Sequence, residues 1–162
     1  LNLPESTKKI GDYFMVNYDT LDGGIPNFNM PQLSNVTKIG NYFLQNRTFG
    51  SVNLSAFTKL EIIGDNFLDG VGCLVSAAYK LDLSAMVSLK QIGSNFLNKI
   101  SDYSEKMVLT LPYNMSSIPE LGGWGDISGD KSIGTIHCGS KYNDYFATSP
   151  WNKQASKMDD GQ

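Results

Sequence analysis

The sequence is poor in the residue types that build most catalytic, metal and nucleic-acid sites. It has one histidine, two cysteines and one arginine, Arg47, beside 12 lysines. A single arginine leaves one position for bidentate recognition of phosphate or carboxylate. A surface that follows nucleic acid needs clustered basic residues, whereas the formal net charge of this chain is −3. We therefore expect no nucleic acid among its partners.

Long apolar runs and a leader peptide are lacking as well. No apolar run approaches the length of a membrane span, roughly 18 residues, so we expect no membrane insertion of this segment. Leu1 opens a strand-like stretch without the features of a signal peptide, which favours an excised piece or a mature domain. The 162 residues suit one domain, and 41% apolar residues supply its core. Cys73 and Cys138 fit neither a disulfide framework nor zinc-ligand spacing, and we expect no cofactor and no metal.

What the sequence has in abundance is a repeated motif. The pair Ile-Gly occurs four times, and in each copy a Phe follows four residues after the Ile. The residue after the Gly is Asp, Asn or Ser, all favoured at helix N-caps, and Leu or Met follows the Phe. We therefore interpret each motif as a capped helical turn whose last two side chains point inward. The motifs begin at Ile10, Ile39, Ile63 and Ile92.

Two further patterns precede the motifs. Apolar residues recur at every third position up to the Ile, a period that suits a tightly wound coil rather than an α-helix or a flat strand. The three clear series are Met30, Leu33, Val36 and Ile39, then Leu54, Phe57, Leu60 and Ile63, then Leu83, Met86, Leu89 and Ile92. Before them stand apolar–polar–apolar triplets, typical of short strands. The triplets start at Leu1, Phe28, Val52, Leu81, Leu109 and Ile136.

A fifth, degraded copy of the motif is predicted at Ile118, with Pro119 in place of the Gly. Ile118 follows Leu111 by seven residues, the same spacing that separates Leu3 from Ile10. Beyond it the chain continues through a glycine-rich segment. Atypical terminal repeats are common in solenoids.

A unit of 24–29 residues with one short strand and one helical turn cannot bury its own apolar face, but stacked units can. The sequence therefore predicts an α/β leucine-rich-repeat solenoid of about five turns, with short parallel strands, short helical turns and a C-terminal cap. We place the repeats at residues 1–138 and the cap and tail at residues 139–162.

Two stretches resemble the BspA-type leucine-rich repeat: Leu33-Ser-Asn-Val-Thr-Lys-Ile-Gly-Asn-Tyr-Phe-Leu44, and Leu81-Asp-Leu-Ser84 with Ile92-Gly-Ser-Asn-Phe-Leu97. Gly72-Cys73-Leu74 resembles the GCxxL piece of that family, and the segment from Ile136 to Trp151 is similar to its C-terminal cap. The resemblance implies a surface-exposed or secreted protein of the kind found in host-associated bacteria, adhesive in some members. It implies no catalytic residues.

The middle side chain of a strand triplet points away from the core. Stacked strands align these residues as a polar row on one face of the sheet, where a solenoid commonly holds a protein or a glycan. The alternative is a solvated face without a ligand, because no aromatic residue interrupts the row as an interface anchor would. The predicted ligand-binding residues of this face are Asn29, Asn53, Asp82, Thr110 and His137.

Catalysis on this face is not expected. Asp82, Thr110 and His137 offer an acid, a hydroxyl and an imidazole, but a nucleophilic triad needs the imidazole between the other two groups. In strand order Thr110 stands between them. His137 and Cys138 point to opposite faces of their strand, so we expect Cys138 to be buried and His137 to lie at the surface.

The lengthened loops carry aromatic residues that are available to contact a partner. Tyr18, Tyr79 and Tyr103 lie in such loops, and tyrosine is enriched at interfaces. Trp124, in the glycine-rich segment, has two interpretations. It is either a platform on which a sugar ring stacks, or a side chain that covers the core of the degraded repeat.

We therefore expect a non-enzymatic binding module, extracellular or at the cell surface, that recognises a protein or a glycan of a host or cell surface. The alternative is a structural spacer or assembly unit of a larger surface protein. In that case adjacent repeats of the same chain would cover the exposed edge of the first strand.

Overall fold

A computed structural model describes residues 2–17, 25–73, 80–100, 107–127, 133–155 and 157–161. The chain winds into a parallel-strand β-solenoid of about four turns with little helix. We call one winding of the chain a coil. Each strand is paired with a strand of a neighbouring coil, and every pairing between the named strands is parallel.

The Ile-Gly motifs build the first sheet. Its strands are only two residues long, because the glycine and the turn that follow end each one. They are β1 (Lys9–Ile10), β3 (Lys38–Ile39), β5 (Ile62–Ile63), β8 (Gln91–Ile92) and β10 (Glu120–Leu121). The strand order is β1-β3-β5-β8-β10, and the isoleucines pair in register with one another.

The glycine of the motif is required because neighbouring coils approach each other closely. A Cβ on Gly64 would lie 2.6 Å from the carbonyl carbon and oxygen of Gly40, and a Cβ on Gly93 would lie 2.8 Å from the carbonyl carbon of Gly64. Neither backbone can yield without displacing its whole coil. Gly11, in the first coil, has no atom within 4 Å of the corresponding point.

The strand triplets build two further sheets. The second sheet contains β2 (Ile25–Asn29), β4 (Thr48–Asn53) and β6 (Gly72–Cys73), in the order β2-β4-β6. The third contains β7 (Lys80–Asp82), β9 (Met107–Thr110), β11 (Ile133–His137) and β12 (Lys157–Asp159), in the order β7-β9-β11-β12. In five of the six predicted triplets the first two residues lie in a strand and the third follows its end, whereas residues 2–4 are not in a strand.

The period-three series is confirmed as the core. Every third residue of this part of the coil points its side chain into the core. In the first series the chain begins with a 3-10 helix, Pro31–Leu33. All members are buried: Met30, Leu33, Val36, Ile39, Leu54, Phe57, Leu60, Ile63, Leu83, Met86, Leu89 and Ile92.

The predicted helical turns at the Phe-Leu motifs are wrong. Each motif is a turn in which alternate residues take left-handed backbone angles; in the second coil φ is 59° at Tyr42, 58° at Leu44 and 57° at Asn46. Such angles cost an L-residue roughly 1–2 kcal/mol. Hydrogen bonds to both neighbouring coils hold them, from Tyr42 N–H to the Asp65 carbonyl at 2.9 Å and from Leu44 N–H to the Phe14 carbonyl at 3.0 Å.

The Asp and Asn residues after the motif glycine connect coils rather than cap helices. Asp12 Oδ1 accepts a hydrogen bond from the Asn41 N–H at 2.7 Å, and Asn41 Oδ1 accepts one from the Asp65 N–H at 2.8 Å. Asp65 Oδ1 in turn accepts one from the Ser94 N–H at 2.8 Å. We call this row of side-chain-to-backbone bonds the Asx ladder.

The fifth copy of the motif is not at Ile118, and this prediction is wrong. Leu121 pairs with Ile92, and Gly122 lies against the backbone of Gly93 as the other motif glycines lie against theirs. The predicted spacing of seven came from the first coil. The observed separation is ten residues, from Leu111 to Leu121, one more than the nine that separate Leu83 from Ile92 in the fourth coil.

Short helical segments pack against the last coil. They are the 3-10 helices Ser140–Tyr142 and Trp151–Lys153 and the helix α1 (Asn143–Phe146). The Trp151 ring meets Phe146 edge-on at 5.0 Å and Trp124 at 5.8 Å between ring centres. Strand β12 then continues the third sheet, an addition that the sequence reasoning had not predicted. Among the described residues no helix is long and apolar enough to cross a membrane.

Candidate functional site

The structure brings the predicted polar row together in two groups. Asn29 lies opposite Asn53 in the second sheet. In the third sheet Asp82 lies opposite Thr110, and Thr110 lies opposite His137. The two Asn residues and Asp82 are exposed, whereas Thr110 and His137 are half-buried. The row is therefore real within each sheet but interrupted between Asn53 and Asp82.

The interruption is a missing backbone hydrogen bond. In the third sheet each coil bonds to the next just after the triplet, from Leu83 N–H to the Thr110 carbonyl and from Leu111 N–H to the His137 carbonyl, both at 2.8 Å. In the described part of the chain no corresponding bond joins the Leu54 N–H to the Asp82 carbonyl. The Leu54 N–H and the Asp82 carbonyl are therefore two backbone groups that a ligand could use as hydrogen-bond partners.

The gap follows from how β4 is paired. On this side β4 meets β6 over its first two residues only, Thr48 and Phe49. The residues of β4 after Phe49 have no partner strand on this side among the described residues, and β7 is the terminal strand of the third sheet. The sheet is therefore split at this point.

A cavity of about 210 Å³ occupies the split. Its lining combines the two predicted residues with small and apolar neighbours: Val52, Asn53, Leu54, Ser55, Asp82, Ser84 and Ala85. The sequence had placed Asn53 and Asp82 on one face, and the structure places them in one cavity. We call this the split-sheet cavity.

Both polar side chains of the cavity are held by the backbone that follows them. Asn53 Oδ1 accepts a hydrogen bond from the Ser55 N–H, and Asp82 Oδ1 accepts one from the Ser84 N–H, each at 2.9 Å. Each side chain thereby keeps one orientation and has a second polar atom left over: Nδ2 of Asn53, a donor, and Oδ2 of Asp82, an acceptor. A fixed donor beside a fixed acceptor suits a hydroxyl-bearing ligand.

The other end of the polar row contains a residue that the sequence reasoning missed. Strand β12 places Asp159 beside His137, with His137 Nε2 and Asp159 Oδ1 3.1 Å apart. Lys157 Nζ lies 2.8 Å from Asp159 Oδ2. The hydrogen bond from Lys157 is the main reason why the pKa of Asp159 is lowered, and the same contact raises the pKa of Lys157.

Thr110, His137 and Asp159 now stand in the order hydroxyl, imidazole, carboxylate. A triad also needs a hydrogen bond from the hydroxyl to the imidazole, and among the described residues none joins Thr110 to His137. The imidazole instead lies against the C-terminal tail, where a Cβ on Gly161 would be 3.1 Å from its Nδ1. The described residues also contain no group of three or more His, Cys, Asp or Glu side chains placed to hold a metal.

The Cys138 side chain is buried, as predicted, while His137 keeps 28% of its side-chain surface exposed. Burial raises the pKa of the Cys138 thiol to about 11, and the nearby Asp159 carboxylate adds to the effect. This thiol is therefore protonated and unreactive under ordinary conditions.

Of the four predicted loop residues, the structure describes Trp124. Trp124 is half-buried at the end of the row of motif phenylalanines, 5.3 Å from Phe96 between ring centres. Its indole N–H donates to the carbonyls of Pro150 and Trp151, both at 3.1 Å. These contacts support the core-covering interpretation. Tyr18, Tyr79 and Tyr103 lie outside the described residues.

The described residues form a parallel β-solenoid, and its polar sheet face is interrupted at the split-sheet cavity. No protein-family model matches the chain, and neither does any curated protein or any solved structure.

Proposed function

We propose that this protein is a leucine-rich-repeat solenoid of the BspA type and acts as a non-enzymatic binding module. In this proposal the coil through Leu121 counts as the fifth turn. The module is surface-exposed or secreted and recognises a protein or a glycan outside the cell. The observation that carries the proposal is the split-sheet cavity, which lies on the predicted polar face and contains Asn53 and Asp82.

Binding on this face would need little rearrangement. The apolar series fixes the coils, and the bonds to Ser55 and Ser84 fix the Asn53 and Asp82 side chains. Preorganised groups lose little conformational entropy on binding. Among the described residues no hydrogen bond joins the Thr110 hydroxyl to the His137 imidazole, which supports a binding role over a catalytic one.

A binding array of glycans and extracellular-matrix proteins tests this function with the isolated chain. We expect at least one ligand, and we expect Asn53→Ala and Asp82→Ala to weaken its binding at least tenfold while each variant remains folded at the temperature of the assay. Asp144→Ala removes the same charge from exposed α1 and serves as the matched control. An array without any ligand would contradict the proposal, and unchanged affinity in both cavity variants would move the site elsewhere.

A second candidate function is an assembly unit whose first coil receives another repeat. The supporting observation is the open N-terminal end of the stack. Tyr13 stacks on Tyr42, 5.0 Å between centres and 3° from parallel, yet 54% of Tyr13 is exposed. Gly11 likewise faces open space. Further Ile-Gly motifs encoded upstream of Leu1 in the full gene would favour this function, and their absence there would contradict it.

A further inference from the structure

We propose that the split-sheet cavity binds a single ring of a neutral carbohydrate through two adjacent hydroxyl groups. This inference rests on the proposed binding function and specifies its ligand. Four observations carry it: the size of the cavity, its hydrogen-bonding groups, its apolar wall and its charge.

The cavity has room for one sugar ring. Its volume is about 210 Å³, which equals the space of roughly seven water molecules in the liquid. A pyranose ring fits such a volume, whereas an extended peptide needs a continuous strand edge several residues long. The split exposes one missing hydrogen bond, between Leu54 and Asp82, rather than a long edge.

The polar groups of the cavity include both donors and acceptors. The donors are Asn53 Nδ2 and the Leu54 N–H, and the acceptors are Asp82 Oδ2 and the Asp82 carbonyl. A hydroxyl group both donates and accepts. Two neighbouring hydroxyls of a sugar would therefore donate to Asp82 and accept from Asn53 and Leu54, which would satisfy the backbone groups left unpaired by the split.

The remaining lining residues are uncharged, and three of the five are apolar. Val52 and Ala85, which are partly exposed, offer contacts to the C–H groups of a sugar ring. Of the described residues that line the cavity, Asp82 alone is charged, and its charge is negative. An anionic ligand such as a uronate, a sialic acid or a phosphate would meet a carboxylate with no cation of the lining to offset it, so the cavity favours a neutral sugar.

Two nearly isosteric substitutions test the polar groups without emptying the cavity. Asp82→Asn keeps the side-chain oxygen that accepts the hydrogen bond from the Ser84 N–H, and it replaces Oδ2, an acceptor, by an NH₂ group, a donor. Asn53→Asp keeps the side-chain oxygen that accepts the hydrogen bond from the Ser55 N–H, and it replaces Nδ2, a donor, by an oxygen, an acceptor. Asn27→Asp is the matched control, because Asn27 lies on the same sheet face outside the cavity and its Oδ1 accepts from the Ser51 hydroxyl at 2.6 Å.

The probes are arrayed neutral glycans, then the methyl glycoside of the best terminal sugar, with glucuronic acid as an anionic counterpart. Titration is followed by calorimetry or ligand-observed NMR, and thermal unfolding shows that each variant is folded. We expect at least tenfold weaker binding of the neutral glycoside by Asp82→Asn and Asn53→Asp, wild-type binding by Asn27→Asp, and no binding of glucuronic acid. Ala85→Leu, which fills the cavity without changing a polar group, should also abolish binding.

Three results would overturn the inference. Neutral glycosides bound equally by wild type and all cavity variants would place the sugar elsewhere. Loss of binding with EDTA would mean that a bound cation recognises the sugar in place of Asn53 and Asp82. If no neutral glycan binds, but a protein ligand binds to wild type and not to Asp82→Ala, the carbohydrate inference fails and the proposed binding function stands. If neither a glycan nor a protein binds, both fail.

Discussion

The Asn41 side-chain oxygen accepts a hydrogen bond from the backbone N–H of Asp65, one coil further along the chain, at 2.8 Å. The same bond recurs from Asp12 to Asn41 and from Asp65 to Ser94. Side-chain oxygens thus join coils on the Ile-Gly side of the solenoid, where the strands are only two residues long and supply few backbone bonds. The Asx ladder stabilises the stack that positions the opposite polar face.

Removal of one step of the Asx ladder should destabilise the fold. In Asn41→Ala the Asp65 N–H loses its acceptor; because this bond is exposed, we expect its loss to cost about 0.5–1.5 kcal/mol. For a chain of this length that corresponds to a fall in melting temperature of about 2–4 °C per kcal/mol. Urea unfolding of Asn41→Ala measures the loss. Ser94→Ala is the control, because Ser94 occupies the same motif position and its hydroxyl makes no hydrogen bond among the described residues; an equal loss in both variants would contradict the role of the ladder.

The motif glycines should differ in their tolerance of a methyl group. In Gly64→Ala the Cβ would meet the Gly40 carbonyl at 2.6 Å, and overpacking of this kind costs about 1–3 kcal/mol or more. Gly11→Ala adds the same atom at a point with no neighbour within 4 Å. Thermal unfolding of the two variants gives the comparison. Equal melting temperatures would show that the coils are less closely spaced than the structure has them.

The docking of β12 should depend on pH through Asp159. Its pKa is lowered in the folded protein, first of all by the hydrogen bond from Lys157. The ionised carboxylate therefore stabilises the fold above the pKa of an unfolded Asp, about 3.9, and this contribution is lost as the pH falls through the lower folded value. The difference in unfolding free energy between wild type and Asp159→Asn should be largest near pH 7 and should shrink near pH 2.

Hydrogen exchange and a second Asp variant localise this effect. The Cys138 N–H donates to the Asp159 carbonyl at 2.8 Å, so its exchange should accelerate in Asp159→Asn at pH 7. Asp126→Asn changes an exposed carboxylate that is in no ion pair among the described residues, and its pH profile should follow that of wild type. A pH-independent difference for Asp159→Asn would refute the electrostatic explanation.

The Cys138 thiol should be protected from alkylation while the chain is folded. With a pKa of about 11, about one thiol in a thousand is ionised at pH 8, whereas an ordinary thiol of pKa about 8.5 is about one-quarter ionised. In a Cys73→Ser background we expect iodoacetamide to react at least 100-fold more slowly with the native protein than with the urea-unfolded one. Rates within tenfold of each other would mean that the thiol is accessible in the native state.

The prediction of the core from the sequence succeeded because its information is local. The period of three places Leu54, Phe57 and Leu60 on the same side of the coil whatever the neighbouring coils do. The triplet alternation likewise places Asn53 and Asp82 outward. By contrast, the capped helical turn was wrong because the oxygens of Asp12, Asn41 and Asp65 have partners on the next coil, which the sequence does not reveal as neighbours.

The register of the last coil shows the same limit. Ile118 matched a spacing taken from the first coil, whereas the pairing with β8 selects Leu121. Asp159 was missed because Lys157-Met158-Asp159 contains one apolar residue and lacks the triplet pattern. Only the pairing of β12 with β11 shows that this segment is a strand.

The sequence by itself determined the repeat, the buried series and the polar row on one face, because each depends on side-chain periodicity within a coil. Only the tertiary structure shows where the polar row is split, that Asp159 is the carboxylate beside His137, and that close approach of neighbouring coils requires the motif glycines. These features depend on contacts between coils some 24 to 29 residues apart, and the hydrogen bonds and close approaches that set them form only when the coils are stacked. In a chain with so little arginine, histidine and cysteine, the coils are joined mostly by backbone amides and the side-chain oxygens of Asn and Asp, and the one arginine adds a bond from Arg47 Nε to the Met15 carbonyl at 2.7 Å.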